Sequence, residues 1–255
     1  MADYLLLRLY GPLASWGEIA VGEVRHSAVH PSRSALLGLL GAALGIERSD
    51  EAGQQALTDG YRFGIKLEAT GSPLRDYHTI QVGVPPRKSQ FRSRRQELAA
   101  DKVDTMLSTR EYRCDSLAII AVQALPDAPA DLVKLALALR QPHFPLYLGR
   151  KSCPLSVPLM PQQMAAANLR EALDAAVFPS LLALLDRHEP NQAWPTRHDR
   201  QAFYLNQVRY YWEEGMQAGM KSSFDTWRHD QPLSRTRWQF APRREWVALQ
   251  EDNTR

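Results

Sequence analysis

The chain has 255 residues, 44% hydrophobic and 23% charged, which is enough for one large folded unit or two small ones with a substantial core. Its net charge of +3 and pI near 8.9 lean basic without requiring an anionic partner, so the placement of charge says more than its sum. Two cysteines, Cys114 and Cys153, are too few for a disulfide framework or a cysteine-rich zinc site. No stretch approaches the roughly eighteen apolar residues of a membrane span, and the apolar N-terminal run is short and lacks a basic leader. The expectation is a cytoplasmic protein with no membrane, metal or cofactor requirement.

Residues 4–10 read as a leucine-rich strand stopped by Gly11-Pro12. Ser32 or Ser34 can cap a helix whose apolar face is Leu36, Leu37, Leu40 and Leu44. Gly38, Gly41 and Gly45 thin that helix at about 1 kcal/mol each relative to alanine, which implies that another backbone approaches closely. Residues 62–69 and 116–125 read as strands, and residues 130–140, after Pro129, as a second helix. Further on, 164–177 and 179–187 carry helical signals, and 203–212, 237–240 and 245–249 are strand-like. The order strand, helix, strand, long insertion, strand, helix gives most of a ferredoxin-like βαββαβ unit within an α+β fold.

The insertion, residues 80–113, holds the charge. Arg87, Lys88, Arg92, Arg94, Arg95, Lys102, Arg110 and Arg113 face only four acids between residues 87 and 113, a local net of +4 that leaves −1 for the rest of the chain. Phe91 and Tyr112 interleave aromatic rings with these guanidiniums, a composition suited to stacking unpaired bases while holding phosphates. A solvated basic loop is the plain alternative, but connections this long inside a compact domain are usually functional or disordered.

A second constellation, PLYLGRKSCPL, combines Tyr147, Gly149, Arg150, Lys151 and Ser152. A glycine lets backbone amides approach phosphate, and two adjacent cations supply charge. Taken alone such a loop reads first as a surface turn, and it lacks the upstream glycine of a P-loop, which excludes nucleotide hydrolysis. A third is Arg25 with Pro31-Ser32-Arg33-Ser34 at a helix start, where amides and an arginine suit an anion, although capping alone explains the serines. His26, His30, His78 and His143 lie near these segments, and a histidine beside Tyr77 could assist RNA cleavage through the 2′-hydroxyl. No histidine pair has ligand spacing and no carboxylate pair stands out, so hydrogen-bonded structural roles are preferred and no catalytic residue is expected.

In order, the motifs LLLRLYGPLASWG, HPSRSALLGLLGAALGI, LRDYHT, STREYRCD and YLGRKSCPLSVPL, with a weaker echo in QFAPRREWVAL, resemble the CasD family of CRISPR-associated RAMP proteins of type I-E. The resemblance spans residues 4–159 almost continuously, and nothing carries over to residues 165–235. It implies a modified ferredoxin-like palm over residues 1–160, with the insertion at about 80–113 as a β-hairpin thumb. Residues 161–255 would form a C-terminal α/β extension packed on the palm. It implies that the chain clasps the 5′ handle of the CRISPR RNA and touches the backbone subunit CasC and the large subunit CasA, engaging target DNA only indirectly. The matching positions are Arg25 and Arg33, Arg110 and Tyr112, and residues 147–152. Related type I-C subunits cut repeat RNA without a metal, which is the competing enzymatic reading. A stand-alone RRM-like protein is disfavoured, because the RRM aromatic signature is absent.

Overall fold

The computed structural model describes residues 1–20, 22–87, 89–181 and 207–251. The elements begin with β1 (Ala2–Tyr10), β2 (Leu13–Ala14), β3 (Trp16–Gly17), β4 (Val24–Arg25), β5 (Ser27–Ala28), α1 (Arg33–Leu44) and α2 (Glu51–Gly60). Next come β6 (Tyr61–Ala69), β7 (Ser72–Gly83), α3 (Arg94–Leu98), β8 (Val103–Cys114), β9 (Leu117–Ala124) and α4 (Leu132–Arg140). The chain continues through β10 (Gln162–Ala166), α5 (Leu169–Ala175), β11 (Gln207–Glu213), β12 (Phe224–Ser234) and β13 (Gln239–Glu251).

The fold is mixed α and β with mainly antiparallel sheets. Its centre is a seven-stranded antiparallel sheet in the order β10-β1-β9-β6-β11-β13-β12. The strand β1 explains why both faces are covered. Leu5, Leu7 and Leu9 point one way and Tyr4, Leu6 and Arg8 the other, and all six are buried. The first set packs with α1, α4 and the alternate residues Phe63, Ile65, Ile120 and Val122. The second packs under α5 with Leu169, Leu173, Tyr210 and Trp212. A strand buried on both faces reads as a near-continuous apolar run, which in β1 is broken by Arg8.

Ser32 caps α1, its Oγ accepting from Ala35 N at 3.2 Å, and Gly45 ends it at φ 76°. The three glycines of α1 serve different ends. Gly41 packs where a Cβ would lie 3.0 Å from Leu57 of α2, Gly45 is the left-handed cap, and Gly38 has nothing within 4 Å. The helix α2 lies outside the sequence expectations, since EAGQQALTDG buries little beyond Leu57 and Thr58.

The second half departs from the sequence expectations. Residues 164–177 are not one helix: β10 comes first, drawn into pairing with the edge of β1 from Ala2↔Ala166 to Leu6↔Gln162, and Asn168 then caps the short α5. The run at 245–249 and the second half of the run at 237–240 belong to the single long β13, while residues 237–238 lie in the turn before it, and its partner β12 is an addition to the expected strands. The expected helix at 179–187 and the start of the strand at 203 lie largely outside the described residues. Because β10, β11, β12 and β13 all join the sheet that contains β1, the chain beyond residue 160 continues the same sheet as well as adding to its second face.

The insertion forms a hairpin that begins at Ser72, ahead of residue 80. Strands β7 and β8 pair continuously from Ser72↔Cys114 to Gly83↔Val103, and residues 84–102 connect them. It is less purely polar than its charge implies: Leu74, Tyr77, Val103, Met106 and Leu107 are all exposed. At its base β8 also pairs with β2 and, in parallel, with β4.

Candidate nucleic-acid interface

Two of the three sequence constellations converge on one groove of about 1220 Å³. Arg25, Ser32, Ser34 and Gly38 line it from β4 and α1, and Tyr147 and Gly149 from the loop after α4. That loop is a tight turn pinned from below. Leu148 and Cys153 are buried, Leu148 N donates to Cys153 O at 2.7 Å, and Ser15 N donates to Leu148 O at 3.0 Å. Gly149 sits at φ 86°, where a Cβ would fall 1.9 Å from Ser15 O, so only glycine fits. Lys151 and Ser152 are left exposed.

The hairpin base joins this site through register. Strand β4 runs parallel to β8 with Arg25 opposite Arg110, two cations side by side. Like charges so placed repel, and an anion lodged between them would relieve the repulsion. Arg25 is steadied by Gly22 O, which accepts from Nη1 at 2.5 Å. Arg150 lies with its guanidinium 5.0 Å from the Tyr112 ring, and its enclosed Nη1 has no acceptor among the described residues.

Several expected RNA contacts are placed otherwise. Tyr112 is only 7% exposed and packs in the main core, so its ring supports Arg150 and is not free to stack on a base. Arg33 is buried: its two terminal nitrogens go to Glu213 and to Thr58 O and Tyr61 O, and the remaining Nε is enclosed, out of reach of a phosphate. Ser32 is likewise buried as the helix cap. The α1 N-terminus is already occupied, since Asp230 Oδ2 accepts from Arg33 N at 2.8 Å. Arg87, Arg92, Arg94 and Arg95 are exposed near the hairpin tip, roughly 23 Å along β8 from Arg110. Arg94 is not a free cation there, as Nη1 lies 2.5 Å from Glu97 Oε1. Lys88 falls outside the described residues.

Beneath the groove lies a buried ionic cluster. Arg243 donates to both oxygens of Asp230 at 2.6 and 3.0 Å and to Glu245 Oε1 at 2.6 Å. His30 Nε2 stands 3.2 Å from Glu245 Oε2 and 2.8 Å from Arg228 Nη1. Burial pushes the Glu245 carboxyl up, but His30, Arg243 and Arg228 outweigh it and hold it at about 2. Burial pushes the Glu213 carboxyl up, with Arg33 and Arg243 opposing. This cluster fastens β12 and β13 to α1.

The groove has a wall that sequence reasoning misses: Trp227, His229, Arg235, Trp238 and Phe240, from β12, the following turn and β13. The available signal is Trp238 set among Arg235 and Arg237, a short cluster with no spacing that marks it as a site. Structure also reveals two histidine–carboxylate pairs, one between residues far apart in sequence and one between strand neighbours two residues apart. His26 Nδ1 is 3.1 Å from Glu111 Oε2, and His78 Nε2 meets Asp76 Oδ2. Glu111, held below the usual carboxylate range first by the His26 hydrogen bond, also accepts from Arg75 at 3.1 Å. Among the described residues no helix is long and apolar enough to cross a membrane.

Residues 4–245 match the family described as CRISPR-associated protein (Cas_Cas5). The chain belongs to the CRISPR-associated Cas5 family. The match runs well past residue 159, where the legible motifs thin out. The resemblance to CasD is upheld: the chain is 35% identical over 181 residues to the CRISPR system Cascade subunit CasD of Escherichia coli (strain K12), covering 68% of this chain and 76% of that protein. A chain of a CRISPR RNA-guided surveillance complex superposes with a TM-score of 0.64 at 25% identity, covering 97% of this chain and 90% of that one. A crystal structure of a Cas protein shares the fold at a TM-score of 0.55 and 23% identity, over 97% of this chain and 95% of that one. Within the Cas5 family fold, then, the groove, the hairpin and the glycine turn meet at one corner.

Proposed function

We propose that the chain is a non-catalytic, RNA-binding subunit of a CRISPR Cascade complex that caps the 5′ handle of the CRISPR RNA. The observation that carries the reading is the corner where Arg25 faces Arg110 across β4 and β8, beside the Gly149 turn and the unsatisfied Arg150 guanidinium. Two adjacent cations with no carboxylate partner among the described residues, an N–H donor likewise without an acceptor there, and a turn open to close approach suit a backbone phosphate better than any neutral ligand. The likeness to CasD supports assigning that phosphate to the handle of a guide RNA.

The four strands β10, β1, β9 and β6, with α1 and α2 after β1 and α4 after β9, read as a ferredoxin-like palm, and the β7–β8 hairpin as its thumb. The exposed Leu74, Tyr77, Met106 and Leu107 suit burial against neighbouring subunits such as CasC and CasA. Target DNA would be engaged only through the guide RNA.

A second reading, metal-independent cleavage of repeat RNA, draws on the His26–Glu111 and His78–Asp76 pairs. Bracing explains the first equally well, since Glu111 ties His26 and Arg75 together at the hairpin base. Incubating the protein with labelled repeat RNA, with and without divalent cation, separates the two. Retention of intact RNA supports the binding role. Site-specific cleavage lost in His26→Ala or His78→Ala would overturn it.

A further inference from the structure

We propose that Trp227 and Trp238, on the β12–β13 hairpin, form a stacking site for unpaired nucleobases of a single strand lying in the groove. The inference rests on the RNA-binding reading and extends it to a part of the chain that reading does not use. Both indoles are large, line the groove and remain 63% and 59% exposed. Trp238 adopts φ 52°, a left-handed conformation that bulky residues rarely take, yet the turn that imposes it does not bury the ring. The Arg48 guanidinium lies 3.8 Å from the Trp238 ring centroid, fixing its orientation.

The support is rigid. Arg48 Nη2 donates to Arg235 O at 3.1 Å, and Arg235 Nη2 donates to Ser34 O at 2.7 Å, tying the turn to α1. Underneath, Asp230 is consumed by Arg243 and the α1 amide, so its charge does not oppose an incoming anion. Arg25 and Arg235 line the same groove, and Arg237 flanks Trp238 in the turn. Exposed aromatic faces set among arginines match a ligand that alternates flat rings with phosphates, which is single-stranded nucleic acid.

The test uses the full-length chain and a short 5′-labelled oligoadenylate, with polyphosphate as a base-free comparison. Trp227→Ala and Trp238→Ala should each weaken oligoadenylate binding roughly 5- to 150-fold. The loss should persist at high salt, because stacking is not screened as charge is. Trp227→Phe and Trp238→Phe should keep most of the affinity, while the double phenylalanine variant should lose the tryptophan fluorescence quench seen on binding. A circular dichroism melt of each variant separates loss of the site from loss of the fold, and the phenylalanine variants decide the question if an alanine variant unfolds. Unchanged affinity in all Trp variants, or equal binding of polyphosphate and oligoadenylate, overturns the stacking site while leaving RNA binding intact. Normal RNA binding with loss of copurifying subunits assigns the rings to a protein surface and also overturns it. No binding of any RNA by the wild-type chain overturns both readings.

Discussion

Arg33 and Asp230, 197 residues apart, meet at the first turn of α1, where the carboxylate accepts from the Arg33 backbone amide at 2.8 Å. The helix terminus that could have held a phosphate is therefore filled from within the chain. The same carboxylate takes both nitrogens of the Arg243 fork, so one residue locks a C-terminal hairpin onto an N-terminal helix.

Asp230→Ala should destabilise the protein by about 3 kcal/mol, because it leaves the buried Arg243 to Glu245 and removes an anion from the helix start. Asp230→Asn, which retains an acceptor, should lose less. Urea denaturation midpoints of the two variants decide this. Equal, small shifts would mean that the cluster contributes only geometry.

Glu245 sets an acid limit. Its carboxyl is held at about 2 in the folded chain against 4.5 for an ordinary glutamate. Its contribution is thus fully present above the unfolded value and is lost as pH falls toward 2, on the order of 3 kcal/mol in all. Glu245→Gln should flatten the decline of thermal midpoint between about pH 5 and pH 2. An unchanged acid limb would place the responsible carboxylates elsewhere.

Two glycines at the groove should respond in opposite senses. Gly149→Ala drives a methyl into Ser15 O and demands a left-handed alanine, so both stability and RNA binding should fall. Gly38→Ala meets nothing within 4 Å and should stabilise α1 by up to about 1 kcal/mol. If the RNA backbone passes close over α1, the same methyl weakens binding. Thermal melts and RNA affinity on both variants read the two effects apart.

Tyr112 and Arg150 divide structure from recognition. Tyr112→Ala should cost about 3–5 kcal/mol as a core truncation, whereas Tyr112→Phe should leave RNA affinity unchanged. Arg150→Ala should instead spare stability and lower the salt slope of RNA binding by about one unit. A large affinity loss in Tyr112→Phe would restore a direct role for that side chain.

The hairpin should be cut by trypsin after Arg87, Arg92 or Arg95 in the free protein and be spared within the complex. Met106→Glu, at an exposed apolar position, should reduce copurification with neighbouring subunits while leaving the isolated protein's melt unaltered. Identical digestion in both states would contradict a role for the hairpin in assembly.

The strands β1, β6 and β9 and the helices α1 and α4 are legible in the sequence because each carries an apolar period that matches its burial. The Gly149 turn is legible because a glycine followed by two cations is a local signal. What escapes depends on distance along the chain. Nothing near Arg33 announces that Glu213 will neutralise it, and Tyr112 looks available only because Arg150 and the core around it lie elsewhere in sequence. The strand β10 reads as helix because alanine-rich residues 164–167 favour one, and pairing with β1 prevails over that weak preference. The tryptophan wall is hidden since β12 is a sheet edge whose first four residues, Phe224 to Trp227, are all exposed, leaving no alternating hydrophobic signature.

The insertion of β11 beside β6 has a consequence for synthesis. When β6 leaves the ribosome, about 140 residues must still be translated before β11 can pair with it, roughly 7–30 s at ordinary elongation rates. For that interval the nascent chain presents the β6 edge from Gly64 to Leu67 with its backbone hydrogen bonds unmet. A message truncated before β11 would yield a product prone to pair with its own copies, and slow codons between the two strands would prolong the exposure.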